Sequence, residues 1–392
     1  MGKIKRILGW LSLIFLLLAT GCWDRKEIED TGIVLGLGID KPETMKTEEH
    51  QPKRHRISLV HQFAVPDPFS AKEGGGAKGN YVNMVNESSS IFAGIRELAT
   101  QSERAPSYEH LQVLVISEDI ARSIDLNEII NFLMRNTESR RTIKVVIAKG
   151  QSREVFEKPP SIEQIPVLKL HDLIQHTRKT LRMAPDLNLG DFSEKITAKR
   201  SFVVQRVVTS KKGVKISGAA IIKGKSAKMV GWLGEEETEG LNWLSGKGKA
   251  GLIEGVDPET GEPIVYEVRE MKSQIKPHVR GGRISYTVEI STEGKLREDW
   301  VIPGNAFEQE FIKKAEKATE KEIKRLAEKA FTKTQKDFKV DVAGFGKKLS
   351  IQYPQVWKDV KKDWDSEFSE VPVDIKVKVQ IREYGTRGTK SG

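Results

Sequence analysis

The sequence predicts a protein of the α+β class, with a mixed α/β architecture in about three domains. Short β-rich runs alternate with helical segments through residues 31–148, as expected for an α/β unit. Short β runs dominate residues 201–290, and one long amphipathic helix follows at residues 307–338. We therefore expect mostly antiparallel sheets, with the long helix in the C-terminal domain.

The elements of the first half follow from the spacing of their apolar residues. β-rich and buried-type runs predict strands at residues 31–40, 56–65, 81–87, 111–116 and 143–148. Helical spacing predicts helices at residues 88–100 and 126–134, and an amphipathic helical segment at residues 159–185. A linker is expected at residues 187–200. We accordingly place an N-terminal α/β domain at residues 22–199, a C-terminal domain at residues 200–385 and a mobile tail at residues 386–392.

The second half is predicted from the same patterns. Strands are expected at residues 201–209, 215–222, 229–232, 264–271, 284–290 and 371–381, and a short helix at residues 357–368. After the long helix, Gly344 and Gly346 flank Phe345, where glycines allow positive φ or close backbone approach and the ring fills the core. Core positions are also expected for four tryptophans: Trp232, Trp243, Trp357 and Trp364.

The N-terminus has the layout of a secretory signal, which we assign to residues 1–21. Three cations precede an uncharged run at residues 7–23, and the run ends in Ala-Thr-Gly before Cys22. This order resembles the lipobox of bacterial lipoproteins, although Ala19 stands where Leu is commoner. We expect Cys22 to carry a diacylglyceryl group as the first residue of the mature chain. The alternative is a small buried side chain at the end of a membrane helix, but the run is short of the roughly 20 residues that spanning requires.

The segment after the anchor, residues 23–30, is too short and too charged to form a core. It places Trp23, Asp24 and Arg25 directly beside the lipidated cysteine. A spacer that needs only reach would be rich in Gly and Ser. We therefore expect Trp23 to rest at the membrane interface, where its amphipathic ring is favoured. The charged run at residues 24–30, which includes Asp24 and Arg25, is expected to contact the chain's own first domain or a membrane subunit. A solvated linker is the alternative.

Charge and cysteine content narrow the possible partners. The net charge is +10, and removing the three cations of residues 1–21 leaves 62 basic against 55 acidic residues. This excess suits an anionic membrane surface. No segment interleaves basic and aromatic residues as a nucleic-acid module does, so no nucleic acid is expected. Cys22 is the only cysteine, so core packing alone must hold the fold together.

The motifs that carry chemistry are missing or incomplete, so we expect no enzyme, metal or cofactor. Residues 36–40 (Gly-Leu-Gly-Ile-Asp) begin like a dinucleotide loop, but no third glycine opens a helix behind them. Residues 224–226 (Gly-Lys-Ser) resemble the end of a phosphate loop, but position 219 is Ala instead of the required Gly. His171 and His176 lie five residues apart, which is not one face of a helix.

Several stretches together resemble the Ger(x)C lipoproteins, the C subunits of nutrient germinant receptors in endospore-forming bacteria. The first stretch is residues 21–30 (Gly-Cys-Trp-Asp-Arg-Lys-Glu-Ile-Glu-Asp), followed by residues 36–40. The second is residues 231–247, which contain two Trp-Leu pairs. The third is residues 341–346 (Asp-Val-Ala-Gly-Phe-Gly), followed by residues 353–358. The motifs keep the family's order and cover nearly the whole mature chain.

The resemblance implies a non-enzymatic protein of mixed α/β fold, anchored by lipid to the outer leaflet of the spore inner membrane. Its partners would be two integral membrane subunits of the same receptor, which senses small nutrients and triggers germination. Two alternatives come from other classes. A solute-binding lipoprotein of a transporter would have two similar lobes, and a cell-wall hydrolase would need a carboxylate pair or a metal site.

Overall fold

Two β-sheets organise the chain in the computed structural model, which describes Gly2 and residues 31–42, 57–65, 80–158, 163–302 and 304–386. The larger sheet has nine strands and the smaller has four. Eleven α-helices accompany them in this part of the chain. The predicted class is confirmed: the fold is mixed α/β, antiparallel strand pairs outnumber parallel ones, and one long amphipathic helix lies in the C-terminal half.

The first sheet combines a parallel centre with antiparallel flanks. Its strands are β1 (Thr31–Asp40), β2 (Ile57–Ala64), β3 (Tyr81–Ser88), β4 (Ala105–Ser107), β5 (Val113–Ser117), β6 (Lys144–Lys149), β7 (Phe202–Ser210), β8 (Gly213–Lys223) and β9 (Lys228–Leu233). Their order is β3-β2-β1-β5-β6-β7-β8-β9, with β4 paired to β1. The neighbours from β1 to β7 are parallel, and the outer pairs are antiparallel.

Helices cover both faces of the first sheet. They are α1 (Ile91–Leu98), α2 (Glu118–Ser123), α3 (Leu126–Arg135), α4 (Ser152–Glu157), α5 (Pro166–Ile174) and α6 (Leu189–Thr197). The apolar sides of α1, α2, α3 and α6 form one core, and those of α4 and α5 form another on the opposite face. Every residue of β5 is therefore buried, as expected for a parallel strand covered on both faces.

The linker expected at residues 187–200 is wrong, because that segment contains α6. The Asn188 side chain accepts a hydrogen bond from the Asp191 backbone N–H at 2.8 Å and so caps the helix. Phe192 is buried and packs edge-to-face on Phe202 with ring centroids 4.9 Å apart. The first sheet then continues through β7, β8 and β9, across the boundary expected at residue 199. The division into domains at that point stays a prediction.

The second sheet packs against the C-terminal helices on one face. Its strands, in spatial order, are β10 (Gly251–Val256), β11 (Pro263–Arg280), β12 (Arg283–Asp299) and β13 (Val373–Glu383). Its helices are α7 (Glu235–Ser245), α8 (Gln309–Thr332), α9 (Phe345–Gln352), α10 (Pro354–Val360) and α11 (Trp364–Glu370). The long helix α8 continues as a π-turn over Lys333–Asp337, so the predicted helix at 307–338 is confirmed in its main part.

The hairpin of β11 and β12 is much longer than the pattern indicates. Gly281 and Gly282 form its tip with φ angles of +54° and +79°, as a tight hairpin turn with two central residues at positive φ requires. The strands predicted at 264–271 and 284–290 extend to Arg280 and Asp299. The single helix predicted at 357–368 is two helices, α10 and α11.

Candidate functional site

The predicted lipidation residue Cys22, and the predicted docking residues Trp23, Asp24 and Arg25, lie outside the described residues. The chain enters the described fold nine residues after Cys22, at Thr31. There β1 pairs in parallel with β4, Thr31 opposite Ala105. A methyl group added to Gly32 would lie 3.0 Å from the Phe63 ring, so the entering backbone packs closely on its neighbours. The described chain therefore begins in a strand in the interior of the first sheet.

The glycines of residues 36–40 serve close packing. A methyl group added to Gly36 would lie 2.9 Å from Val167 Cγ2 and 3.0 Å from the Phe156 ring. A methyl group on Gly38 would overlap Ser152 Oγ. Helices α4 and α5 thus lie directly on the β1 backbone, which a larger residue would push away. Residues 36–40 lie within strand β1, so the interpretation of this motif as strand, and not as a dinucleotide loop, is confirmed. The turn expected after it stays a prediction.

Asp40 completes the same motif by capping α4 from a distant strand. Its carboxylate accepts hydrogen bonds from the Ser152 N–H at 2.6 Å, the Ser152 hydroxyl at 2.9 Å and the Arg153 N–H at 3.0 Å. The helix has no side-chain cap of its own, and a carboxylate at a helix N-terminus also interacts favourably with the helix dipole. Burial raises the pKa of Asp40, against these hydrogen bonds.

The buried polar residues of β2 are also satisfied within the core. The Gln62 amide donates to the Phe156 carbonyl at 3.2 Å and accepts from the Val167 N–H at 2.8 Å. His61 lies 3.0 Å from the Tyr108 hydroxyl and 3.2 Å from Asn86 Oδ1. Burial lowers the pKa of His61 to about 4, so this histidine is neutral at physiological pH and serves as a core residue.

Helix α7, whose sequence follows Gly-Trp-Leu at residues 231–233, joins the two sheets. An atom added to Gly240 would overlap the Leu326 carbonyl oxygen, so α7 and α8 are in backbone contact. Ion pairs flank this crossing; they join Glu236 to Arg325 and Lys329, and Glu237 to Lys333. The hydrogen bond from Lys329 is the main cause that lowers the pKa of Glu236. Burial of Glu237 acts to raise the pKa of that residue, but the hydrogen bond from Lys333 opposes burial and the pKa is lowered.

The opposite side of α7 holds a segment of the first half of the chain. Asn242 Nδ2 donates to the carbonyl oxygens of Leu181 and Met183, both at 2.8 Å. Glu239 Oε2 lies 3.3 Å from Arg182 Nε, and the Glu239 side chain is only 4% exposed. Burial raises the pKa of Glu239 to about 7 although Arg182 opposes the shift. The sequence did not single out Arg182, Glu239 or Asn242 individually. Glu239 and Asn242 lie within the motif at residues 231–247, and Arg182 carries no local signal.

Asp341 organises the third motif. Its Oδ1 accepts from the N–H groups of Gly344 at 2.7 Å and Phe345 at 3.0 Å, and its Oδ2 accepts from Gly346 N–H at 2.7 Å and Trp364 Nε1 at 3.0 Å. Gly344 has a φ of +97°, and Phe345 is fully buried. The carboxylate therefore caps the N-terminus of α9 and ties it to α11.

The two glycines of this motif have different roles. Only Gly344 has positive φ, whereas a methyl group on Gly346 would lie 2.7 Å from Trp364 Nε1 and 2.9 Å from Trp357 Cη2. The predicted core positions are confirmed for Trp243 and Trp364, which are buried. Trp232 and Trp357 are half-buried.

Within the described ranges no group of three His, Cys, Asp or Glu side chains could hold a metal ion. In the same ranges, no helix combines the length and the hydrophobicity needed to span a membrane. The motifs instead pack helices on strands, cap helices and join the two sheets. They define a class of protein: a mixed α/β scaffold whose recognisable motifs are structural.

Comparison with known proteins identifies the family. A family described as "Spore germination protein N-terminal domain" matches residues 24–209, and "Spore germination B3/ GerAC like, C-terminal" matches residues 217–385. Spore germination protein YndF of Bacillus subtilis (strain 168) is 35% identical over 404 residues, covering 99% of this chain and 100% of that protein. Spore germination protein B3 of the same organism is 30% identical over 379 residues, covering 96% and 97%.

A solved structure supports the same assignment. The crystal structure of the GerBC protein matches with a TM-score of 0.60 and 25% sequence identity, covering 88% of this chain and 97% of that one. The chain belongs to the Ger(x)C family of spore germination proteins.

Proposed function

We propose that this protein is the lipid-anchored, non-enzymatic C subunit of a spore nutrient germinant receptor. It is held on the outer leaflet of the spore inner membrane and is needed for receptor assembly or signalling with two integral membrane subunits. The observation that carries this proposal is the end-to-end match to the two germination families at residues 24–209 and 217–385. The lipobox cysteine, Cys22, stands two residues before the first match begins.

The geometry of the chain's entry supports a short tether. Eight residues separate Cys22 from Thr31, and the nine steps between the two Cα atoms span at most about 30 Å in an extended chain. Two or three acyl chains at one site make an effectively stable anchor, whereas one chain binds only marginally. The N-terminal end of β1 would then stay near the membrane surface, and tethering would raise the local concentration of the subunit at its partners.

The buried polar groups support a role without catalysis. His61, Asp40 and Asp341 each make the hydrogen bonds of a core residue or a helix cap. A solute-binding lipoprotein is the less favoured alternative. The two sheets differ in size and topology, and so do not form the pair of similar lobes that such a protein needs.

The experiment is to express the chain with Cys22→Ala in spores that lack the native gene, with Ala19→Leu as the matched control. We expect the control to be lipidated at Cys22 and to co-purify with both membrane subunits, because Leu is the commoner residue at that position. Cys22→Ala should leave the membrane fraction or remain uncleaved, and germination through this receptor should fail. Mass spectrometry of the N-terminal peptide reads the modification. Normal germination by an unlipidated, released protein would contradict the proposal.

A further inference from the structure

The C-terminal half exposes a group of large apolar side chains at one end of the second sheet. We call Val256, Trp300, Ile302, Phe307 and Tyr384 the end patch. They are 57%, 58%, 56%, 55% and 39% exposed. Strands β10, β12 and β13 end beside these residues, β11 begins there, and α8 starts two residues after Phe307. Half of the ten exposed large apolar residues in the described ranges are thus gathered at this end.

Contacts join members of the end patch in two groups, one at β10 to β12 and one at β13. Val256 pairs with Pro263, and the carbonyl oxygen of Pro263 accepts a hydrogen bond from the Trp300 N–H at 3.0 Å. The rings of Phe307 and Tyr384 meet edge-to-face with centroids 5.8 Å apart. Val301 is buried in the core, so its neighbours Trp300 and Ile302 face outward. Four strands make the patch about 15 Å wide.

A cleft lies at the Tyr384 side of the patch. Its volume is about 400 Å³, and its lining includes Leu296, Tyr384 and Gly385. The charged residues that line it are already paired, Lys295 with Glu383 and Arg297 with Glu267. A cleft beside exposed aromatic rings can receive an apolar side chain of a partner, and aromatic residues are enriched in the cores of protein interfaces.

The rim of the end patch is acidic, in a protein of net charge +10. Five carboxylates surround it: Glu254, Glu262, Glu298, Glu308 and Glu310. None of them forms an ion pair with a Lys or Arg of the described ranges. Two accept hydrogen bonds from neutral groups, Glu298 from Trp300 Nε1 at 2.7 Å and Glu308 from Asn305 Nδ2 at 3.0 Å. Lys314, on the first turns of α8, is already held by Asp257 at 2.9 Å and Glu259 at 2.7 Å. Lys313 is exposed and lies outside these pairs. This one cation does not balance the five carboxylates, so the rim keeps an excess of negative charge.

We infer that the end patch binds a polypeptide segment in which apolar side chains are flanked by Lys or Arg, carried by another subunit of the receptor. The apolar centre supplies the contact area, and the carboxylates, which have no cationic partner in the described ranges, select a basic partner. The same carboxylates would be repelled by an anionic bilayer, which argues against insertion of these side chains into lipid. This inference rests on the proposed function for the source of the segment.

A matched control exists at the other end of the same domain. Ile351, on α9, is 65% exposed and has Lys347 and Lys348 on the same helix. Helix α9 contacts β12 near its beginning, where the Tyr286 hydroxyl donates to the Phe345 carbonyl at 3.2 Å. From Tyr286 to Trp300 the chain runs about 45 Å of strand. Ile351 is therefore an exposed apolar residue remote from the patch and in a basic setting.

The first test places the photo-crosslinking residue p-benzoylphenylalanine at Phe307, or at Ile351, in the full lipidated chain in spores. We expect the Phe307 probe to join a peptide of another receptor subunit that carries apolar residues flanked by Lys or Arg. The Ile351 probe should not join that peptide. A Phe307 adduct with lipid, with a second copy of this chain or with no polypeptide would overturn the inference.

The second test compares Trp300→Ser/Phe307→Ser and Glu308→Lys/Glu310→Lys with the control Ile351→Ser. The serine variants replace exposed side chains and should melt near the parent temperature. Glu308→Lys/Glu310→Lys should melt somewhat lower, because both carboxylates lie at the N-terminus of α8 and interact favourably with its dipole. Co-purification is therefore compared well below the melting temperature of every variant. Both patch variants should lose at least about tenfold in co-purification of the membrane subunits, and the control should not. Folded patch variants that co-purify normally would overturn the inference and leave the proposed function intact. Failure of the unaltered, lipidated chain to co-purify would instead overturn the proposed function.

Discussion

Two motifs of this protein combine glycines with one aspartate, and they use these residue types for different purposes. In β1, Gly36 and Gly38 let α4 and α5 approach the strand, and Asp40 caps a helix that begins 112 residues later in the chain. Before α9, Gly344 turns the backbone at positive φ, and Asp341 caps a helix only a few residues ahead. The first motif is long-range and the second is local. The comparison teaches that glycines beside an aspartate can serve close packing or a backbone turn. The surrounding elements determine which of the two roles the residues have.

The largest expected effect tests the packing role of the first motif. Gly38→Val should lower the free energy of unfolding by about 3 kcal/mol, because the added atoms overlap Ser152 and the Phe156 ring inside a core covered on both faces. Urea denaturation of the chain without residues 1–22 measures this. Gly261→Val is the control, since no atom lies within 4 Å of its added carbon, although its φ of +76° adds strain. Equal losses in the two variants would show that packing at β1 is not decisive.

The next-largest effect concerns Glu239 of α7. Its ion pair with Arg182 joins the half of the chain that holds the first motif to the half that holds the second. Because burial raises the pKa of Glu239 from 4.5 to about 7, the folded protein binds this proton more tightly than the unfolded chain. Stability should therefore fall as pH rises from about 4.5 to about 7, by roughly 2–3 kcal/mol.

Melting curves between pH 4 and pH 8 measure this dependence. Glu239→Gln should flatten the curve in that window, while the exposed control Glu328→Gln should leave it as in the parent protein. The prediction fails if the parent and Glu239→Gln have parallel stability profiles across the window. Stability that rises over this range and depends on Glu239 would mean that the Arg182 pair outweighs burial.

A somewhat smaller effect tests the turning role of the second motif. Gly344→Val should cost about 2 kcal/mol, because a β-branched side chain is strained at a φ of +97°. Gly344→Asn should recover most of this loss, since Asn tolerates the left-handed region and no atom lies within 4 Å of the added carbon. Thermal melting decides the point. At Gly346 the φ is ordinary, and Asn there should give no such recovery because Trp357 and Trp364 occupy the space.

The smallest effect on stability is expected where the chain enters the first motif's strand. Replacing residues 24–30 with Gly and Ser, while keeping Cys22 and Trp23, should leave the melting temperature unchanged. If the charged segment docks as we propose, the variant should still be lipidated but assemble poorly with its partners. A replacement of the same length that keeps the charges in scrambled order separates composition from specific contacts. Full assembly and germination by the Gly-Ser variant would mean that only the tether matters.

The sequence by itself determined the features that depend on neighbouring residues. β-rich and buried-type runs placed β1, β2 and β6 within one or two residues, because strands covered on both faces are buried at nearly every position. Helical spacing located the long helix α8. The lipobox pattern around Cys22 and the family motifs are local as well, and the family they indicated is the one to which the chain belongs.

Only the tertiary structure decided the features that join distant residues. It showed that Asp40 caps α4 and that Arg182 meets Glu239, since no local pattern records a contact across 112 or 57 residues. It showed a packed helix where a linker was expected at residues 187–200. The burial of Phe192 depends on Phe202 and on the sheet beneath, which no local pattern records. It also left Trp300 exposed while burying Trp243, because exposure depends on which elements fold over a side chain and not on its type.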